Sequence, residues 1–137
     1  MIRKETPDFV AVTGDIVSGF AWDQSHGRPH FWKDNFSKLS SVLEADEIPF
    51  GFVPGYHDFS ADADQDQMLD IAKSHDLSAA QYNSYRHDGN AMTHQFTYQV
   101  PIRSNYDQNE VMARIWFFGT GRDDCMGVGG MDCVRRD

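Results

Sequence analysis

Two short apolar runs with an amphipathic stretch between them constrain this chain more than anything else in it. Phe9-Val10-Ala11-Val12-Thr13 is stopped by Gly14-Asp15, and Ile48 to Val53 is stopped by Pro54-Gly55. Their length and β-branched or aromatic content predict buried strands. A polar, glycine-bearing stretch runs through Gly27, and Pro29 can then open a helix, where a first-turn proline loses no internal hydrogen bond. Trp32, Phe36, Leu39 and Leu43 recur at spacings of four, three and four, which places them on one helical face. Lys33, Asp34, Lys38 and Glu44 lie largely elsewhere. Pro49 sits near the start of the second strand, where a missing donor is tolerated. Strand, helix, strand in this order predicts a βαβ unit with parallel strands. Parallel strands end on the same edge, so Asp15 and the loop Gly55-Tyr56-His57-Asp58 are expected together there. Open α/β sheets bind their ligands at such edges.

Downstream, a second helix is expected from about Asp64 to Ser74, with Met68, Leu69, Ile71 and Ala72 on its apolar side. Asp62, Asp64 and Asp66 crowd its start, where the positive end of the helix dipole favours carboxylates. Residues 78–93 read as a polar loop. His94 to Ile102 alternates, with Phe96, Tyr98 and Val100 on one face, and predicts a half-exposed strand. Ser104 to Glu110 reads as a polar turn leading to a hairpin partner over Val111 to Phe118. From Gly119 onward the chain is glycine-rich. The expected fold class is α/β, and 137 residues suit one domain over 1–137 with a modest core.

A formal net charge of −9 repels a phosphate backbone, so no nucleic-acid partner is expected. It leaves room for a phosphorylated substrate, because bound metal ions can reverse a local field. No stretch approaches the roughly 18–20 apolar residues that span a bilayer, so no membrane partner is expected. Nothing before the first strand has signal-peptide character, which places the chain in the cytoplasm if Met1 is the true start. Cys125 and Cys133 are expected as free thiols, although a disulfide between them is geometrically open.

Several motifs fail on inspection. Asp62-Ala63-Asp64-Gln65-Asp66 imitates the opening of a calcium loop, but Gln67 stands where a glycine is needed and Lys73 where a bidentate glutamate is needed. Gly119-Thr120-Gly121 lacks the third glycine of a dinucleotide loop, with Asp124 in its place. His26 and His30 read as a solvated pair, His75 and His87 as surface residues, and His94 as a packed histidine.

What remains is Gly14-Asp15 and Gly55-Tyr56-His57-Asp58 on consecutive strand ends. With these residues the chain resembles the calcineurin-like metallophosphoesterase superfamily, and within it the purple-acid-phosphatase-like branch. The resemblance runs from Pro7-Asp8-Phe9 through Gly14-Asp15-Ile16-Val17-Ser18-Gly19 and the 48–58 strand and loop to Trp116-Phe117-Phe118. It implies part of an α/β/β/α sandwich, a βαβ unit followed by a helix and a β-hairpin. It also implies phosphate monoester hydrolysis by water activated between two metal ions (iron, zinc or manganese) held about 3.5–4 Å apart. Asp15 would bridge the metals, His57 would contact the phosphate or assist the leaving group, and Asp58 would orient the His57 ring. Tyr56 stands where the family has an asparagine ligand, and would either bind metal as a phenolate or swing away. Ser18 stands where the purple enzymes have an iron-binding tyrosine.

The family's upstream Asp-x-His and downstream His-x-His are missing from the chain. The expectation is therefore a central fragment of a longer phosphoesterase, incomplete or inactive by itself, acting on a phosphorylated small molecule or phosphoprotein. The alternative is a non-catalytic, phosphoesterase-like binding module.

Overall fold

A computed structural model of the protein describes residues 2–18, 22, 28–80 and 96–119. The described chain is mixed α/β with two small sheets. A one-turn helix α1 (Ile2–Glu5) precedes strand β1 (Val10–Val12), helix α2 (Phe31–Ala45) and strand β2 (Phe50–Phe52). β1 and β2 pair in parallel, with Val10 opposite Phe50, Ala11 opposite Gly51 and Val12 opposite Phe52. The expected βαβ unit is therefore present. A 3₁₀ turn (Asp58–Ser60), helix α3 (Gln65–Lys73) and a hairpin of β3 (Tyr98–Arg103) with β4 (Val111–Phe117) complete it. His26, His87, His94, Cys125, Cys133 and the Gly119-Thr120-Gly121 motif beyond its first glycine lie outside the described residues.

α2 buries the face its spacing predicts. Trp32, Phe36 and Leu43 are fully enclosed, and Leu39 is half-buried. Trp32 stacks on Phe36 with ring centroids 4.9 Å apart, and Phe36 meets Phe52 edge-on at 5.1 Å. α3 adds Met68, Leu69 and Ala72 to the same core. The helix begins after His30 rather than at Pro29, and His30 is exposed in a left-handed conformation with φ 63°.

Both helix starts are closed by carboxylates, in a division that the local sequence conceals. Asp64 caps α3 by accepting from the Gln67 N–H, while the Gln67 side chain accepts from the Asp64 N–H. This reciprocal capping box stabilises a helix start by about 0.5–2 kcal/mol. Asp62, expected at the same helix, serves α2 instead. Its two oxygens accept from the Phe31 and Trp32 N–H groups, each at 2.9 Å. Two donors that helix geometry leaves without partners are thus satisfied from a loop thirty residues away.

Two further expectations are corrected. The start of the 78–93 stretch bridges to β2: Phe50 donates to the Leu77 carbonyl and accepts from the Ala79 N–H, forming an isolated parallel bridge opposite Ser78. His75 is a packed residue instead of a surface one. Its Nδ1 lies 3.0 Å from Glu44 Oε1 and its Nε2 lies 3.2 Å from the buried Ser40 hydroxyl. The ring also rests against Phe36. It ties the segment after α3 to the inner face of α2.

The hairpin docks through its inward residues. Phe96 and Tyr98 are buried and Val100 is half-buried, as the alternation predicts. Phe117 stacks on Tyr98 at 4.8 Å and lies directly over Gly51. The Tyr98 hydroxyl donates to the Phe52 carbonyl at 2.9 Å and accepts from the Phe52 N–H at 2.8 Å. One phenol so satisfies both polar groups of a residue in the middle of the core.

A Cβ at Gly51 would overlap the Phe117 ring. Gly51→Ala is expected to lower stability by about 1–3 kcal/mol through overpacking, measured as a shift in denaturant midpoint. Phe117→Leu in the same chain should recover part of the loss.

Tyr98→Phe leaves the Phe52 N–H and C=O buried without partners, at a cost of about 1–3 kcal/mol. Burial pushes the Tyr98 hydroxyl from its ordinary 10.0 up to about 12. The folded state therefore binds this proton more tightly than the unfolded chain does. Its stabilisation is complete below pH 10 and is lost as pH rises toward about 12. Equilibrium unfolding across that window should be steep in the wild type and shallower in Tyr98→Phe.

Candidate functional site

The site grows from the two loops that leave β1 and β2 side by side. Gly14 adopts φ 85°, and a side chain there would overlap the backbone of Pro54 and Gly55. A side chain on Gly55 would overlap the Asp15 carboxylate. Only two glycines allow these backbones to run in contact. Asp15 itself has φ 53°, a left-handed conformation that aspartate tolerates better than most side chains.

Asp58 is the knot that holds this arrangement. It is completely buried, and its carboxylate accepts five N–H groups. Oδ2 takes the Asp15 N–H at 2.8 Å and the Gly55 N–H at 2.9 Å. Oδ1 takes the Ile16 N–H at 3.1 Å, the Val17 N–H at 3.4 Å and the Trp32 indole N–H at 3.1 Å. One side chain thus gathers the loop after β1, the loop after β2 and the first turn of α2. Burying a carboxylate is expensive unless hydrogen bonds replace its water, and these five do so.

The resemblance gave Asp58 the task of orienting the His57 ring. The structure corrects this, because both Asp58 oxygens are occupied by other donors. The carboxylate beside the ring is that of Asp15. Its Oδ1 accepts the His57 backbone N–H at 2.9 Å, and its Oδ2 lies 3.3 Å from the ring Nδ1. The side chains of His57 and Asp15 are 40% and 54% exposed, so the pair opens to solvent at the strand edge. The His57 backbone hydrogen bond outweighs partial desolvation and holds the Asp15 carboxyl below its ordinary range, and the imidazole contact adds to the effect. Tyr56 stands next to the pair, 55% exposed, with its ring meeting that of His57 edge-on at 5.5 Å.

All four residues that the sequence places at this edge are therefore here: Asp15, Tyr56, His57 and Asp58. Among the described residues they do not by themselves complete the two-metal centre that the resemblance implies. Asp58 is sealed in the interior, and Asp15 directs both oxygens at His57. Among the described residues, no group of three or more His, Cys, Asp or Glu side chains could hold a metal ion. Trp32 is the contributor that sequence reading missed. Its position on an apolar face conceals that the indole N–H must find a partner when buried, and that need was the one available signal.

Asp58→Asn would replace one acceptor oxygen with an amide donor that faces N–H groups. Leaving two or more donors unsatisfied is expected to lower stability by about 3–5 kcal/mol, read from denaturant unfolding. Asp15→Asn keeps a residue suited to the left-handed conformation and should unfold close to the wild-type midpoint.

Comparison of the chain with family models, with curated proteins and with solved structures finds no match.

Proposed function

We propose that the β1/β2 edge is the reacting site of a phosphoester hydrolase akin to the metallophosphoesterases, with the βαβ unit and hairpin as part of an α/β/β/α sandwich. The observation that carries this reading is the meeting of Asp15 and His57. They lie forty-two residues apart in sequence and touch at the carboxyl edge of two parallel strands. That edge is where α/β sheets hold their ligands, and an exposed imidazole beside a carboxylate is equipped for proton transfer. In hydrolysis, water adds to phosphorus as the ester P–O bond breaks, and the departing oxygen takes up a proton. His57 would take up the proton that the attacking water releases and pass it to the departing oxygen. The substrate class is a phosphorylated small molecule or phosphoprotein. The iron, zinc or manganese pair of the resembled family would need ligands from beyond the described residues.

A second reading is supported by the hairpin. Met112, Trp116 and Phe118 expose 65%, 55% and 51% of their surface, and Trp116 stacks with Phe118 at 6.1 Å. Exposed apolar clusters of this kind mark interaction surfaces, which suits a non-catalytic binding module.

The two readings part in one assay: a chromogenic aryl phosphate incubated with and without added manganese, zinc or iron. The expected result is a low rate that His57→Ala reduces on the order of 10²–10⁴-fold, or to background. A rate untouched by His57→Ala, or none in the wild type, would overturn the hydrolase reading and leave the binding module.

A further inference from the structure

The geometry divides labour between the two carboxylates in the opposite sense from the family resemblance. We infer that Asp15 is the positioning residue for the His57 imidazole, and that it serves in this role instead of seating a metal ion. Three observations carry this. First, both Asp15 oxygens face one residue: Oδ1 accepts the His57 N–H at 2.9 Å and Oδ2 lies 3.3 Å from the ring Nδ1. Backbone and ring are held from the same carboxylate, which fixes the position of the residue and the direction of its ring together. Second, Asp58 is buried with five N–H donors on its two oxygens, so it can neither orient the ring nor coordinate an ion at the edge. Third, among the described residues the Tyr56 phenol is the group that stands beside this pair. No three His, Cys, Asp or Glu side chains among the described residues come together there to hold an ion.

A carboxylate beside Nδ1 selects the tautomer with its proton there, and turns Nε2 into the reacting nitrogen. This concerns the same edge as the hydrolase reading, but its readouts need no substrate, so the two can fail separately.

The test uses the whole chain with ¹⁵N-labelled histidine at about pH 8, above the ordinary imidazole range. The expected spectrum shows His57 protonated at Nδ1. Asp15→Asn should abolish that preference while the amide spectrum stays folded. One equivalent of Mn²⁺ should broaden the amides of Asp15, Tyr56 and His57 no more than those of Asp107 and Glu110 in the hairpin turn. Protonation at Nε2 in the wild type would overturn the inference. So would a tautomer indifferent to Asp15→Asn, or selective Mn²⁺ broadening at residues 15, 56 and 57. Should Asp15→Asn fail to fold, the wild-type tautomer and the Mn²⁺ response decide alone. His57-dependent turnover with selective Mn²⁺ broadening would keep the hydrolase reading and sink this inference. The expected tautomer and Mn²⁺ response without turnover would do the reverse.

Discussion

A single buried carboxylate holds the rest of this structure in register. Asp58 occupies the point where the loop after β1, the loop after β2 and the first turn of α2 converge, and each delivers N–H groups to it. The dependence is mutual. Without the carboxylate, five donors lose their acceptor, and two of these hydrogen bonds are fully buried. Without the donors, an anion would sit uncompensated in the core. The exposed pair of Asp15 and His57 is a consequence, because its two members belong to the two loops that Asp58 gathers.

Close backbone approach is the second condition, and two glycines meet it. Gly14 and Gly55 bring the loops near enough for one carboxylate to span them, and Gly51 makes the equivalent allowance on the opposite side for Phe117. Function and packing therefore place the same kind of demand on the β1/β2 pair. At its end, missing side chains admit a second loop. In its middle, a missing side chain admits an aromatic ring from the hairpin. The core that results is largely aromatic, running from Trp32 and Phe36 through Phe52 to Phe96. Phe96 reaches its place with φ 67°, a backbone conformation that a bulky residue adopts only under constraint from its surroundings.

Periodic features were legible in the sequence, and long-range polar ones were not. The apolar spacing of Trp32, Phe36, Leu39 and Leu43, the alternation of Phe96, Tyr98 and Val100, and the arrest of two apolar runs at Gly14 and Pro54 all correspond to observed elements. They also brought Asp15 and the Tyr56-His57-Asp58 loop to one edge. The partners of the carboxylates lay beyond such reading. Asp62 closes a helix that precedes it by thirty residues, and Asp58 bonds to amides more than forty residues away. Hydrogen bonds of that reach follow from how the elements pack and leave no periodic trace. Local spacing accordingly assigned Asp62 to the nearer helix and Asp58 to the neighbouring ring. His75 was misread for the same reason, since Ser40 and Glu44, which hold it, lie a whole element upstream.

The Tyr98 hydroxyl has a consequence beyond the stability of the core. The side of β2 away from β1 is claimed at Phe50 by the 77–79 segment and at Phe52 by one phenol, which answers both the donor and the acceptor of that residue. A side chain thus stands where a further strand would otherwise begin. An extended peptide from another molecule finds no free backbone ladder on that flank, so strand-to-strand recruitment there is blocked. Contact with another molecule on that flank must fall to side chains.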